Sequence, residues 1–146
     1  MIGMVVTGHG HFATGLTSSV QLIAGMPEKY VAVDFKDTDS TDDLEKNLVS
    51  AFEELKDCDS ILVFSDLVGG SPFKVSVELS MKLQEQYKIV VVSGSNLGML
   101  IEANMARTFI EDVNSLADMI INTGKDQVMK YEYVERVEEE DFEDGI

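Results

Sequence analysis

The sequence predicts an α/β fold with a doubly wound, mostly parallel sheet. Three observations lead to it. Short runs that are apolar on both alternating faces recur along the chain, as in strands covered by helices on both sides. Between them lie stretches with apolar residues at helical spacing. Runs and helices then alternate through the body of the chain, the pattern of parallel βαβ units rather than of hairpins. With 146 residues and 45% hydrophobic content, the chain can build one well-buried core and is too short for two ordinary domains.

The first run, Ile2-Gly3-Met4-Val5-Val6-Thr7, reads as a strand in the middle of the sheet. Gly8-His9-Gly10-His11 follows it and contains both histidines of the chain. Phe12, Leu16, Val20 and Ile23 then recur at helical spacing, and Gly25 with Pro27 supplies a stop. A second strand spans residues 30–35, and residues 37–40 form a polar turn. Ser40 and Asp43 resemble a capping box, with Asp where Glu or Gln is usual. They open a helix whose inward face is Leu44, Leu48, Ala51, Phe52 and Leu55.

The third strand, residues 60–65, ends in Asp66-Leu67-Val68-Gly69-Gly70-Ser71-Pro72-Phe73. Ser71 is placed to be an N-cap and Pro72 the first helical residue, with Val75, Leu79 and Leu83 as the inward stripe. A fourth strand, residues 88–93, leads through Gly94-Ser95-Asn96 into a helix carrying Leu97, Leu100, Ile101 and Met105. Val113, Leu116, Ala117, Ile120 and Ile121 mark a last helix, closed at Gly124. In residues 128–134, Met129, Tyr131 and Tyr133 face one way while Lys130 and Glu132 face the other. This half-buried pattern is expected of an edge strand, or of one added to a neighbouring subunit's sheet.

A formal charge of -16 argues against nucleic acid or an anionic membrane surface as partner, because such binding depends on clustered Lys and Arg. Residues 135–144 hold seven acids and Arg136, so six of those sixteen negative charges belong to an acidic tail (135–146) that reads as solvated. The domain proper is then residues 1–134, still acidic enough to meet a basic protein surface. Cys58 is the only cysteine, which leaves neither a disulfide framework nor a cysteine-based zinc site. The first residues lack the features of a signal peptide, and no apolar run approaches the roughly 18 residues of a membrane span. The expectation is a cytoplasmic protein with no direct membrane insertion.

In doubly wound sheets the ligand crevice lies outside the carboxyl ends of the strands, where strand order reverses. For the order 2-1-3-4, His9 and Asp66 would face each other across it. A carboxylate that accepts one imidazole N–H fixes the tautomer and leaves the other nitrogen's lone pair exposed as a nucleophile. A phosphoryl group arriving there would find amide donors around Gly69, Gly70 and Ser71 at a helix N-terminus, with the Ser71 hydroxyl as another.

Each residue taken alone has a plainer reading. A loop histidine is commonly solvated, His11 can simply line the loop, Asp66 can be a turn residue, Ser71 a cap, and the glycines a matter of backbone geometry. Their concentration in two adjacent strand-to-helix turns favours a site. The G-x-x-x-x-G-K-[ST], G-x-G-x-x-G and G-x-S-x-G patterns are absent, so nucleotide binding and serine hydrolysis lack specific support. His9, His11 and Asp66 are metal-ligand types, but nothing in their spacing selects a metal.

At these residues the chain resembles the IIA component of the mannose family of the bacterial phosphoenolpyruvate-dependent sugar phosphotransferase system (PTS). The resemblance rests on His9-Gly10 with Ala13 and Gly15, on the Asp66 to Phe73 motif, and on Asn104-Met105-Ala106-Arg107. It implies that His9 accepts a phosphoryl group from the phosphocarrier HPr and passes it to the IIB component, serving the membrane components IIC and IID indirectly. It implies further that Asp66 orients His9, that Gly69, Gly70 and Ser71 help hold the phosphate, and that no cofactor, metal or nucleotide takes part. It also implies a homodimer in which the C-terminal strand is exchanged across the dimer.

Lys74, where Asn is common in the family, and the acidic tail depart from the family pattern. The Gly-His-Gly-His-Phe-Ala loop leans toward the amino-sugar branch, N-acetylgalactosamine or galactosamine. The alternatives are the phosphotransfer subunit of PTS-dependent dihydroxyacetone kinase, on the same fold, and a non-catalytic regulatory module that binds a small anion.

Overall fold

The apolar runs and amphipathic stretches become nine elements within residues 1–135, the part of the chain that the computed structural model describes. In chain order they are β1 (Ile2–His9), α1 (Phe12–Ala24), β2 (Tyr30–Phe35), α2 (Thr41–Glu54), β3 (Ser60–Ser65), α3 (Ser71–Lys82), β4 (Ile89–Val92), α4 (Leu97–Ala106) and α5 (Val113–Gln127). The strands pair in parallel in the order β2-β1-β3-β4, the order expected. No helix among the described residues is long and apolar enough to cross a membrane.

Because side chains alternate across a strand, the central strands feed two cores. Ile2, Met4 and Val6 of β1 join Leu62 and Phe64 of β3 in a cluster with α1, α4 and α5. Val5, Ile61 and Val63 join Val33 in a second cluster with α2 and α3. The sheet is therefore sandwiched between helices. The capping box forms as expected: Ser40 Oγ accepts the Asp43 N–H at 3.1 Å, and the Ser40 N–H donates to Asp43 Oδ2 at 2.9 Å.

Three expectations are corrected. Ser71 is not the cap of its helix. Gly70 holds the extended N-cap conformation, and Ser71 is the first helical residue with Pro72 behind it. The last helix does not close at Gly124 but runs to Gln127. Gly124 is there because α4 and α5 touch: a Cβ would lie 2.5 Å from Met99 Sδ, and the Gly124 carbonyl accepts from Asn96 Nδ2 at 3.0 Å. Finally, the edge-strand reading of residues 128–134 is not met within the described residues, where they form no strand and are exposed throughout. The acidic tail beyond Glu135 lies outside the described residues.

The Asn104 to Arg107 motif works at the end of the sheet opposite His9. The buried Arg107 guanidinium donates from Nη1 to the carbonyls of Ile2 (2.9 Å) and Lys29 (3.1 Å). Its Nη2 donates to the Glu28 carbonyl and, at 2.9 Å, to Asn104 Oδ1. One side chain thus ties the end of α4 to the start of β1 and to the turn before β2. Desolvation lowers the Arg107 pKa from its ordinary value, and the carbonyls compensate by satisfying its Nη donors, while the buried Nε is left without a partner among the described residues.

Candidate functional site

β1 outruns its neighbour β3. Its pairing with β3 stops at Thr7 and Ser65, whereas its pairing with β2 continues to His9 and Phe35. His9 is therefore the last strand residue, not a free loop residue. The Gly10 amide still donates to the Phe35 carbonyl at 2.7 Å, but the His9 amide on the other edge has no β3 carbonyl to meet. Asp66, the first residue past β3, takes that place: its Oδ2 accepts the His9 backbone N–H at 2.9 Å. The same oxygen lies 2.7 Å from His9 Nδ1, and Oδ1 accepts the Leu67 N–H at 2.8 Å.

Burial pushes the Asp66 carboxyl up, but the hydrogen bonds from the His9 amide, the His9 ring and the Leu67 amide outweigh it and hold the group below the usual carboxylate range. Asp66 is an anion at neutral pH and can only accept, so His9 Nδ1 is the donor. In the neutral ring that leaves the lone pair on Nε2. The Asp66 side chain is 10% exposed and that of His9 48% exposed. The charge is sheltered while the imidazole is open to a partner. Phe35 meets the ring edge-on, with centroids 5.8 Å apart, and limits its rotation from the β2 side.

The glycine turn packs directly on the imidazole. A Cβ at Gly70 would come within 2.9 Å of His9 Cε1 and 3.6 Å of Nε2, so only a glycine lets the turn approach this edge of the ring. Gly69 has φ +80°, a left-handed conformation that an L side chain strains to adopt. The Gly70 amide is already used, donating to the Leu67 carbonyl at 3.3 Å. Among the described residues the Gly69 and Ser71 amides have no acceptor, as expected ahead of and within a helix's first turn. Of the amide donors expected from sequence, two are free and one is not. Leu67 and Val68 are exposed beside this turn, an apolar rim next to the polar His9–Asp66 pair.

The structure also brings in a residue that the sequence reading passed over. Asp34, near the end of β2, accepts from the Thr14 amide (3.0 Å) and the Thr14 hydroxyl (2.7 Å), and lies 3.3 Å from His11 Nδ1. His11 is the N-cap of α1 but makes no side-chain cap bond, so Asp34 caps that helix from the adjacent strand. Burial raises the Asp34 carboxyl, but its bonds from Thr14 and His11 outweigh that and lower it overall. A lone carboxylate in the otherwise apolar run Val31-Ala32-Val33-Asp34-Phe35 was the available signal. Among the described residues no cluster of three or more His, Cys, Asp or Glu is arranged to hold a metal ion.

Comparison with known proteins places this geometry. Residues 3–121 match the family described as "PTS system fructose IIA component". The sorbose-specific EIIA component of Lacticaseibacillus casei is 32% identical over 99 residues, covering 68% of this chain and 69% of that protein. The mannose-specific EIIAB component of Escherichia coli is 27% identical over 127 residues, 87% of this chain; the match spans 38% of that longer relative.

Among solved structures, the phosphotransferase system component EIIA from Streptococcus agalactiae is 39% identical with a TM-score of 0.81, covering 89% of this chain and 97% of that one. The mannose/sorbose-specific IIA subunit from Enterococcus faecalis is 26% identical, also at a TM-score of 0.81, covering 92% of this chain and 98% of that one. On a match that spans most of the chain and a shared parallel sheet, the chain belongs to the mannose-type EIIA components of the sugar phosphotransferase system.

Proposed function

We propose that His9 Nε2 is the phosphoryl acceptor of this EIIA component, loaded by phospho-HPr and unloaded by the IIB component. The observation that carries the reading is the bond between His9 Nδ1 and Asp66 Oδ2 at 2.7 Å, which leaves Nε2 as the nucleophile at the Gly70 turn. In the transfer the Nε2 lone pair attacks phosphorus, the P–N bond to the donor imidazole breaks, and that imidazole keeps the bonding pair. Exchange between two phosphohistidines is nearly balanced in energy, so positioning matters more than acid–base machinery. Free Gly69 and Ser71 amides at the start of α3 suit the phosphoryl oxygens. The exposed Leu67 and Val68 suit docking of a protein rather than a small metabolite.

The reading extends to assembly and location. Residues 128–134 supply strand-like alternation with no strand partner among the described residues, and β4 is a four-residue edge strand. Pairing of this segment with the sheet of a second copy accounts for both, giving a homodimer with exchanged strands. The carrier is placed in the cytoplasm, where HPr and IIB would meet it, and touches neither sugar nor membrane. Selection of the sugar, including the amino sugar toward which the loop leans, falls to the membrane components.

Incubation with phosphoenolpyruvate, enzyme I and HPr tests the carrier reading. Acid-labile phosphate is expected on the wild-type protein and on His11→Gln, and not on His9→Gln. An unlabelled wild type would overturn the reading, and label on His9→Gln would overturn the assignment of the acceptor.

A further inference from the structure

Asp34 and Asp66 stand in corresponding places on the two sides of β1. Each lies at the carboxyl end of a flanking strand, β2 or β3. Each has a side chain at most 10% exposed, and each approaches Nδ1 of one histidine. The two Thr14 bonds already cap α1 through Asp34, so the longer His11 contact at 3.3 Å is not needed for the cap. It tethers a ring whose side chain is 82% exposed and whose Nε2 has no partner among the described residues.

His9 and His11 are two residues apart, so their Cα atoms lie within about 7 Å of each other. The Gly70 turn closes on the His9 ring from the β3 side, and His11 stands on the β2 side, where it meets Asp34. A dianionic phosphoryl group enters here on a chain with 27 acids against 11 Lys and Arg. A donor held on the open side of His9 therefore has both an electrostatic and a geometric use.

Building on the reading of His9 as acceptor, we propose that the protonated form of His11, tethered to Asp34 at 3.3 Å, donates its Nε2–H to an oxygen of the phosphoryl group while that group is transferred to and from His9. The P–N bond to the donor breaks as the bond to His9 Nε2 forms, and His11 neither gains nor loses a proton. His11 is thus the β2-side counterpart of the glycine turn, and Asp34 is its positioning residue.

Two variants test this. His11→Ala removes the ring, whereas His11→Asn keeps a side-chain N–H that can reach Asp34 but places no donor at the position of Nε2. Both are expected to fold, by circular dichroism, and to be labelled at His9. Both should show kcat/KM for transfer from phospho-HPr reduced by about tenfold, with the phospho-His9 ³¹P resonance displaced from its wild-type position by more than the linewidth. Wild-type kinetics in His11→Asn would overturn the proposal by reducing His11 to a prop for Asp34. A raised KM with an unmoved ³¹P resonance would also overturn it, placing His11 against the partner protein instead. Absence of label on the wild type is a separate result that removes the carrier reading itself.

Discussion

Oδ2 of Asp66 lies 2.7 Å from His9 Nδ1 and 2.9 Å from the His9 amide nitrogen. One oxygen therefore fixes both the ring and the backbone from which the ring projects. The imidazole cannot turn Nδ1 outward without losing the first bond, and β1 cannot shift along β3 without losing the second.

Replacing Asp66 tests this double role. Asp66→Ala is expected to slow phosphoryl transfer from phospho-HPr by roughly tenfold to a hundredfold with the fold intact. Asp66→Asn should be at least as slow, since an amide that turns its NH₂ toward Nδ1 favours the tautomer with the proton on Nε2. Rapid-quench transfer kinetics provide the measurement. A wild-type rate in both variants would remove the orienting role.

Gly70→Ala places a methyl 2.9 Å from His9 Cε1. Gly70 is an extended N-cap at φ -73°, a conformation alanine adopts freely, so the damage should fall on the ring and not on the backbone. We expect slower phosphorylation with a melting temperature close to wild type. A large loss of stability with normal transfer in the protein that stays folded would place the constraint in the turn instead.

Arg107→Lys separates the structural motif from the chemistry. Lysine cannot serve the carbonyls of Glu28, Lys29 and Ile2 together, and the loss should cost about 2–3 kcal/mol in urea unfolding. Transfer by the folded fraction should be unchanged, because β1 separates Arg107 from His9 by about 23 Å. Slowed transfer at full folding would contradict this division of labour.

Acid should destabilise the protein through Asp34 and Asp66. Both fall below the ordinary carboxylate value of 3.8 in the folded state. Their contribution is therefore present above that value and lost as pH falls through the lower folded-state values. The melting temperature should be flat from neutral pH to about 5 and decline below about 4. Asp34→Asn should lower the neutral melting temperature and flatten the acid decline, as followed by circular dichroism. An unchanged acid decline in this variant would show that Asp34 does not contribute to it.

The order of elements, the strand order, the capping box at Ser40 and the placement of His9 and Asp66 at the carboxyl ends of neighbouring strands were legible from the residues alone. They follow from local periodicity and from the rule that ligands bind where strand order reverses. The boundary errors share one cause. Gly124 looked like a stop because glycine ends helices, yet here it admits Met99, a contact between helices that no local pattern contains. Residues 128–134 carry the alternation of a strand, but alternation specifies a face and not a partner. Asp34 was passed over because its partners, Thr14 and His11, lie on another element 20 and 23 residues away.

By itself the sequence determined which residue types could do chemistry and at which strand ends they would sit, because strand and helix periods are local properties. Tertiary structure decided which atoms meet. β1 runs past β3, so an unpaired amide and an imidazole nitrogen converge on one Asp66 oxygen, while the Gly70 backbone closes on the ring. Those distances depend on strand register and on where each strand stops, and both are set by packing across the whole sheet.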